Sequence, residues 1–191
     1  MMRAFLTLLA MAGALGAAPV GYRVIVDTAA FAGTDAQVEF QFNPGGTPDA
    51  ATAEVSALAG IASFTNGPRT GDVTGSNPWL FGNSVLPNQL FLNLTGLGAL
   101  FSFQVVFSGD AIDNPAELDG TAFTMTMRDT GGNVLGGFSE PSLWLEVSGG
   151  AVLPLMQDQQ ITLSEIPEPR AMILMMSGLL LLAVRRRCFP G

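Results

Sequence analysis

The chain has 191 residues and a net charge of −8, with sixteen acidic side chains, eight basic ones, no histidine and one cysteine. Histidine-dependent triads and histidine-ligated metals are excluded, and the lone thiol, Cys188, has no partner for an internal disulfide. Every basic residue is an arginine, and between residues 18 and 165 fifteen acids face three of them, a balance of −12 that excludes nucleic acid as a partner.

In chain order, Arg3, an apolar stretch from Ala4 to Leu15 and the small residues Gly16-Ala17-Ala18 predict a secretory signal peptide over residues 1–17. Cleavage is expected after Gly16 or Ala17, because Pro19 argues against a cut after Ala18. No cysteine follows the apolar stretch, which excludes lipoprotein processing; an uncleaved N-terminal anchor is the alternative.

Residues 18–165 then repeat a period-two alternation, the mark of half-buried strands. Tyr22, Val24 and Val26 predict the inward side of a first strand. In the second, Val38, Phe40 and Phe42 face the core, while Gln37, Glu39 and Gln41 face water. Asn43 to Pro48 reads as a loop by its glycine and proline content. Residues 50–64 fit a capped alanine-rich helix or a strand, with Ala53, Val55 and Ala57 inward in the favoured strand reading. Gly67 to Gly82 is expected to be mostly loop, holding a short Trp79-Leu80-Phe81 insert.

Leu90, Leu92 and Leu94, then Phe101, Phe103, Val105 and Phe107, predict two further strands. Phe123, Met125 and Met127 predict another, which a turn at Asp129 to Asn133 joins to a strand over Val134 to Phe138. Leu143, Leu145 and Val147 mark the next, and Ile161 and Leu163 the last. Eight to ten short strands with no helix between them predict an all-β domain, an antiparallel β-sandwich resembling a jelly roll, with a closed barrel as the alternative. Segments of about six residues are too short for an outer-membrane barrel, which needs about nine to eleven.

Three surface features bear on chemistry. Asp110, Asp113, Asn114, Glu117 and Asp119 crowd one inter-strand loop, an oxygen-rich set that suits calcium, although the spacing is not that of an EF-hand and a solvated turn with local backbone bonding is the favoured reading. No other cofactor is expected. Trp79 and Phe81 in their loop, with Phe91 and Trp144 on the polar sides of their strands, form a candidate carbohydrate platform, since a ring face packs on the C–H patches of a sugar. The opposing expectation is that these rings are covered. Paired carboxylates running glycoside hydrolysis are the only enzymatic option in this composition, and the chain is read as a non-enzyme.

After residue 166 the pattern changes. Pro167-Glu168-Pro169 precedes an apolar run from Ala171 to Val184, and Arg185-Arg186-Arg187 follows it. The run has fourteen residues, so as a helix it rises about 21 Å, short of a hydrocarbon core of about 30 Å. The arginines favour the cytoplasmic face, which leaves residues 1–166 outside. By itself this is a marginal tail anchor.

The order of proline–glutamate–proline, short apolar helix and arginine cluster resembles the PEP-CTERM sorting signal of Gram-negative bacteria, over residues 166–191. The resemblance implies that exosortase, a membrane-embedded cysteine protease, recognises Pro167, Glu168 and Pro169 and removes the tail. Residues 171–184 would then be a transient inner-membrane span and Arg185 to Arg187 its stop, while Cys188-Phe189-Pro190-Gly191 extends past the usual end.

Tyr22 to Thr28, Phe40 to Gly45, Val106 to Gly109 and Asp113-Asn114-Pro115 more loosely resemble a group of small PEP-CTERM proteins of unassigned function. What the family implies is an exported cell-surface or extracellular-matrix protein, structural or carbohydrate-interacting, associated with exopolysaccharide and biofilm. A secreted polysaccharide hydrolase and an unprocessed membrane-anchored surface protein are the alternatives.

Overall fold

The computed structural model describes residues 20–166. The expected signal peptide and the whole sorting signal, from Pro167 through Arg187 to Cys188, lie outside the described residues. Among the described residues no helix is long and apolar enough to cross a membrane.

Ten strands make one antiparallel sheet: β1 (Val20–Asp27), β2 (Ala36–Pro44), β3 (Thr52–Thr70), β4 (Val73–Gly75), β5 (Trp79–Gly82), β6 (Gln89–Ser108), β7 (Thr121–Arg128), β8 (Leu143–Ser148), β9 (Ala151–Gln157) and β10 (Ile161–Glu165). The hydrogen-bonded order is β4-β5-β3-β6-β2-β7-β8-β9, with β1 also on β6 and β10 on β1. Among the described residues, helix is confined to single turns at Ala29–Phe31 and Asp110–Asp113.

The alternation dictates which side each strand buries. Val24, Val26, Val38, Phe40, Phe42, Leu90, Leu92, Phe103, Phe123 and Met125 are fully buried, while their sequence neighbours turn outward. Burying a side chain of this size contributes about 1.5–3 kcal/mol. These positions are the reason the sheet has an inside.

The hub is β6, a single strand of twenty residues where the sequence suggested two. Its first part, Gln89 to Leu94, pairs with β2, its second, Leu100 to Phe107, pairs with β1, and β3 runs beside nearly all of it. Partway along, the β3–β6 register shifts between Ser56 and Ala59 and again between Ala59 and Ile61. Bulges of this kind bend a strand and add twist. Ala57 (φ 54°) and Gly60 (φ 79°) take left-handed conformations there, and Ala57 is exposed although the alternation placed it inward.

Bending has a consequence for the core. Phe40 pairs in register with Leu90, yet its ring meets Phe103 edge-on at 4.9 Å. Phe42 likewise meets Phe107 at 6.1 Å, and Phe107 meets Phe123 at 5.7 Å. The rings meet in offset and edge-on arrangements that their quadrupoles favour. Tyr22 of β1 adds a hydrogen bond from its hydroxyl to the Val152 carbonyl of β9, at 3.2 Å.

Three expectations are corrected. Trp79-Leu80-Phe81 is not a loop but β5, paired with β3 and β4. β3 continues to Thr70, where loop was expected from Gly67. Val134 to Phe138 is not a strand: only Val134 bridges to Arg128, and the Phe138 amide closes a turn onto the Leu135 carbonyl beside Gly136-Gly137.

Asn88 sets where β6 begins. It is fully buried, its Nδ2 donates to the carbonyls of Phe42, Gly82 and Val85, and its Oδ1 accepts the Asp72 amide. Its own amide donates to Asn43 Oδ1 at 2.8 Å, which fixes β6 against β2. At the far side of the sheet, the edge strand β9 carries Pro154 and a register shift opposite Trp144 and Leu145, two devices that blunt an open edge against further pairing.

Candidate functional site

The outward residues of β6, β2, β7 and β8 form one strip, and the register gives its rows. Phe91 lies beside Glu39, and Glu39 beside Thr126. In the next row Gln89, Gln41, Thr124, Trp144 and Met156 follow one another across five strands. A third row holds Asn93, Gln37 and Arg128. Gly67 of β3 closes the end of the first row, because a Cβ there would stand 3.1 Å from the Phe91 Cβ.

An ion pair organises the strip. Glu39 is 3% exposed, which contradicts the expectation that it faces water; Phe91, Thr126 and Arg128 crowd it. Arg128 Nε donates to Glu39 Oε2 at 2.7 Å, and the guanidinium also bonds Glu140. Gln41 and Gln89 each donate to Glu39 Oε1 at 2.5 Å, and Asn43 donates to Gln41 Oε1 at 2.7 Å. Burial works against the charge of Arg128, but the hydrogen bonds it donates to Glu140 and Glu39 and their negative fields hold its pKa above the ordinary value. Gln37 donates to Asn93 at 3.0 Å in the outer row. Each of these amides carries a second N–H and lone pairs for an outside partner.

Of the four aromatic residues proposed as a platform, two belong to this strip. Phe91 and Trp144 are half-buried on it, three strand spacings apart, or about 14 Å. The other two do not join them. Trp79 and Phe81 are fully buried, since β5 alternates inward, outward, inward and leaves Leu80 as its exposed residue. The Trp79 ring meets Phe64 edge-on at 5.4 Å, and its Nε1 donates to Asn66 at 3.0 Å. The Nε1 of Trp144, by contrast, is buried with no partner among the described residues. A missing partner of this kind costs about 1–3 kcal/mol.

The acidic loop is spread out. Asp110 and Asp113 lie on a helical turn that Asn114 ends, and the carboxylate of Asp119 accepts the Thr47 amide at 3.0 Å. No three metal-ligating side chains converge among the described residues, so Asp110, Asp113, Asn114, Glu117 and Asp119 are not assembled as a calcium site. The loop is held instead by Asp49, whose carboxylate accepts the amides of Ala116 at 2.6 Å and Glu117 at 2.8 Å.

The Glu117 and Ala116 hydrogen bonds hold the Asp49 pKa below its ordinary 3.8. A carboxyl depressed in the folded state stabilises it above pH 3.8, and that contribution disappears as pH falls through the folded value. The Ala116 and Glu117 amide resonances are therefore expected to titrate with a midpoint below 3.8; a midpoint at or above it would contradict the contact.

Among the described residues Glu39 is the one buried carboxylate, and it is neutralised by Arg128. Paired carboxylates for glycoside hydrolysis were the alternative to the non-enzyme reading, and Glu39 is the carboxylate that Arg128 engages. Sequence reading missed the Glu39–Arg128 pair and its glutamines because the partners come from three strands; only the like-sided Gln37, Glu39 and Gln41 hinted at a polar row. Compared with known protein families, curated proteins and solved structures, the chain matches none. What defines it is an antiparallel all-β body with an amide-rich strip that an aromatic ring flanks at either end.

Proposed function

We propose that this is an exported, non-enzymatic surface or matrix protein that binds carbohydrate on the strip between Phe91 and Trp144. The observation that carries this reading is the register that puts both rings on the polar side of the sheet, with Gln41, Gln89 and Thr124 between them. Ring faces suit the C–H patches of sugars, and amides suit their hydroxyls, because each can donate and accept. The bent β3–β6 pair and the ring contacts across the interior support a two-layered sandwich of jelly-roll type as the finer description.

Phe91→Ala and Trp144→Ala, singly, are each expected to lower retention on exopolysaccharide about tenfold, the effect of losing one buried ring face. The pair together should abolish it. Trp79 is not a test of this surface, since removing it would damage the core. Unchanged retention in the double variant, with an unchanged circular dichroism spectrum, would refute the reading.

Export and tail removal rest on the sequence: the apolar stretch after Arg3, and Pro167-Glu168-Pro169 ahead of a short span and three arginines. Exosortase is the processing partner in this reading, with a transient hold in the inner membrane. The mature protein of wild-type cells is expected to lack Arg187 and Cys188 by intact mass, and that of exosortase-deficient cells to keep them. Retention of both residues in wild-type cells would instead support a permanent anchor.

A further inference from the structure

We infer that the strip takes an uncharged glycan in extended form, lying across strands β6, β2, β7 and β8 and not along one of them. This rests on the carbohydrate reading above and narrows it in charge and in length.

The direction follows from the rows. Phe91 and Trp144 stand three strand spacings apart, about 14 Å, and two residues, about 7 Å, out of line along the strands. One sugar ring is too small to touch both. A chain running obliquely across the sheet meets Phe91, then the Gln89–Gln41 amides, then Thr124 and finally Trp144. Recognition by such a strip increases with chain length up to the ring separation. The unpartnered Trp144 Nε1 lies at the end of this path, on a residue that a terminal sugar would cover.

The absence of ionic character follows from how the charges are spent. The strip's cation, Arg128, is engaged by Glu39 and by Glu140, and so offers no free guanidinium to a carboxylate or sulfate group. Glu146, one row beyond Trp144's partner Thr124 and beside Ala122, adds negative charge at the margin. Residues 20–166 hold fifteen acids and three arginines, so the approaching field repels a polyanion over about a Debye length of 8 Å at physiological salt. Amides, threonine hydroxyls and ring faces, by contrast, are matched to hydroxyl-rich chains without charge.

The test is affinity electrophoresis of the full chain in mild detergent, through gels containing hydroxyethylcellulose, galactomannan or laminarin as uncharged probes and sodium alginate as the anionic one. Retardation is expected in at least one uncharged gel and not in alginate. The matching hexasaccharide should relieve it at a concentration about tenfold or more below that of its monosaccharide, the factor one additional ring contact supplies. Gln41→Ala with Gln89→Ala should weaken it in the folded protein, and should lower the melting temperature as well, because both amides bond Glu39. If alginate retards the chain in a salt-sensitive manner, or if the monosaccharide competes as well as the hexasaccharide, carbohydrate binding stands and this inference falls. If no glycan retards it, both fall.

Discussion

Gly60→Ala is expected to destabilise the protein by at least about 4 kcal/mol, or to prevent folding, since among the described glycines it is the one where an added Cβ would come nearest another atom. Its φ of 79° lies in the left-handed region, where a Cβ costs about 1–2 kcal/mol by itself. The larger part comes from what that Cβ would meet. It would stand 1.7 Å from the Leu100 carbonyl oxygen, which is backbone and has no rotamer to move into. Relief requires β3 to part from β6 at the bend, and Phe101 and Phe103 hang on the same stretch of β6. Gly33→Ala is the control, because it has a similar φ of 82° and nothing within 4 Å of the added atom. Urea unfolding of both variants separates the two contributions. Equal losses would show that the close approach at Gly60 is not decisive.

Arg128→Met is expected to cost about 3 kcal/mol, and the same change made together with Glu39→Gln to restore stability to within about 1 kcal/mol of the parent. The single variant strips Glu39, 3% exposed, of its counter-charge and leaves only the Gln41 and Gln89 amides to hold it. A carboxylate left in that position is destabilising because water cannot replace the guanidinium. With glutamine at residue 39 no charge remains to be solvated, and the methionine stem covers the same surface. For a domain of this size the single loss corresponds to a fall in Tm of about 10 °C. If the double variant is as unstable as the single one, the guanidinium acts through its bonds to Glu140 and Gly132 and not through Glu39.

Much of the fold is legible in the amino-acid sequence because a sheet with one dry side writes itself as alternation. Val38, Phe40 and Phe42, Leu90, Leu92 and Leu94, and Phe123, Met125 and Met127 all lie where period two puts them. The alternation fails where it is interrupted or too brief to count. Ala57 departs from it because a bulge inserts a residue and reverses the sides that follow, and a bulge leaves no composition of its own apart from Gly60. β5 has four residues, and the prolines, glycines and asparagines around Trp79-Leu80-Phe81 outweigh them, so two core rings read as loop rings. The inward, outward, inward reading of that tripeptide was the available signal.

The candidate strip was half legible. Phe91 and Trp144 could be placed on polar sides from their own strands alone, whereas their shared side depends on the register of two strands between them. Glu39 was misread for a related reason: exposure of an outward residue depends on what the neighbouring strands supply, and Phe91 and Arg128 come from β6 and β7. The acidic loop illustrates the converse. Its crowding in sequence suggested convergence, but Asp119 is committed to Thr47, and the neighbouring amides go to Asp49, which lies outside the crowded segment.

The pairing of β1 with β10 has a mechanical meaning. The two strands run antiparallel with Tyr22 opposite Glu165, and the Ile166 amide bonds the Gly21 carbonyl at 2.8 Å. A pull on the chain beyond residue 166 therefore loads these contacts one after another, as a zipper, instead of all at once in shear. Among the described residues β10 has no second neighbour, so it peels from the edge before the load reaches the buried rings of β6. Under such a load the last described strand is expected to yield first and to leave the β6 rings packed.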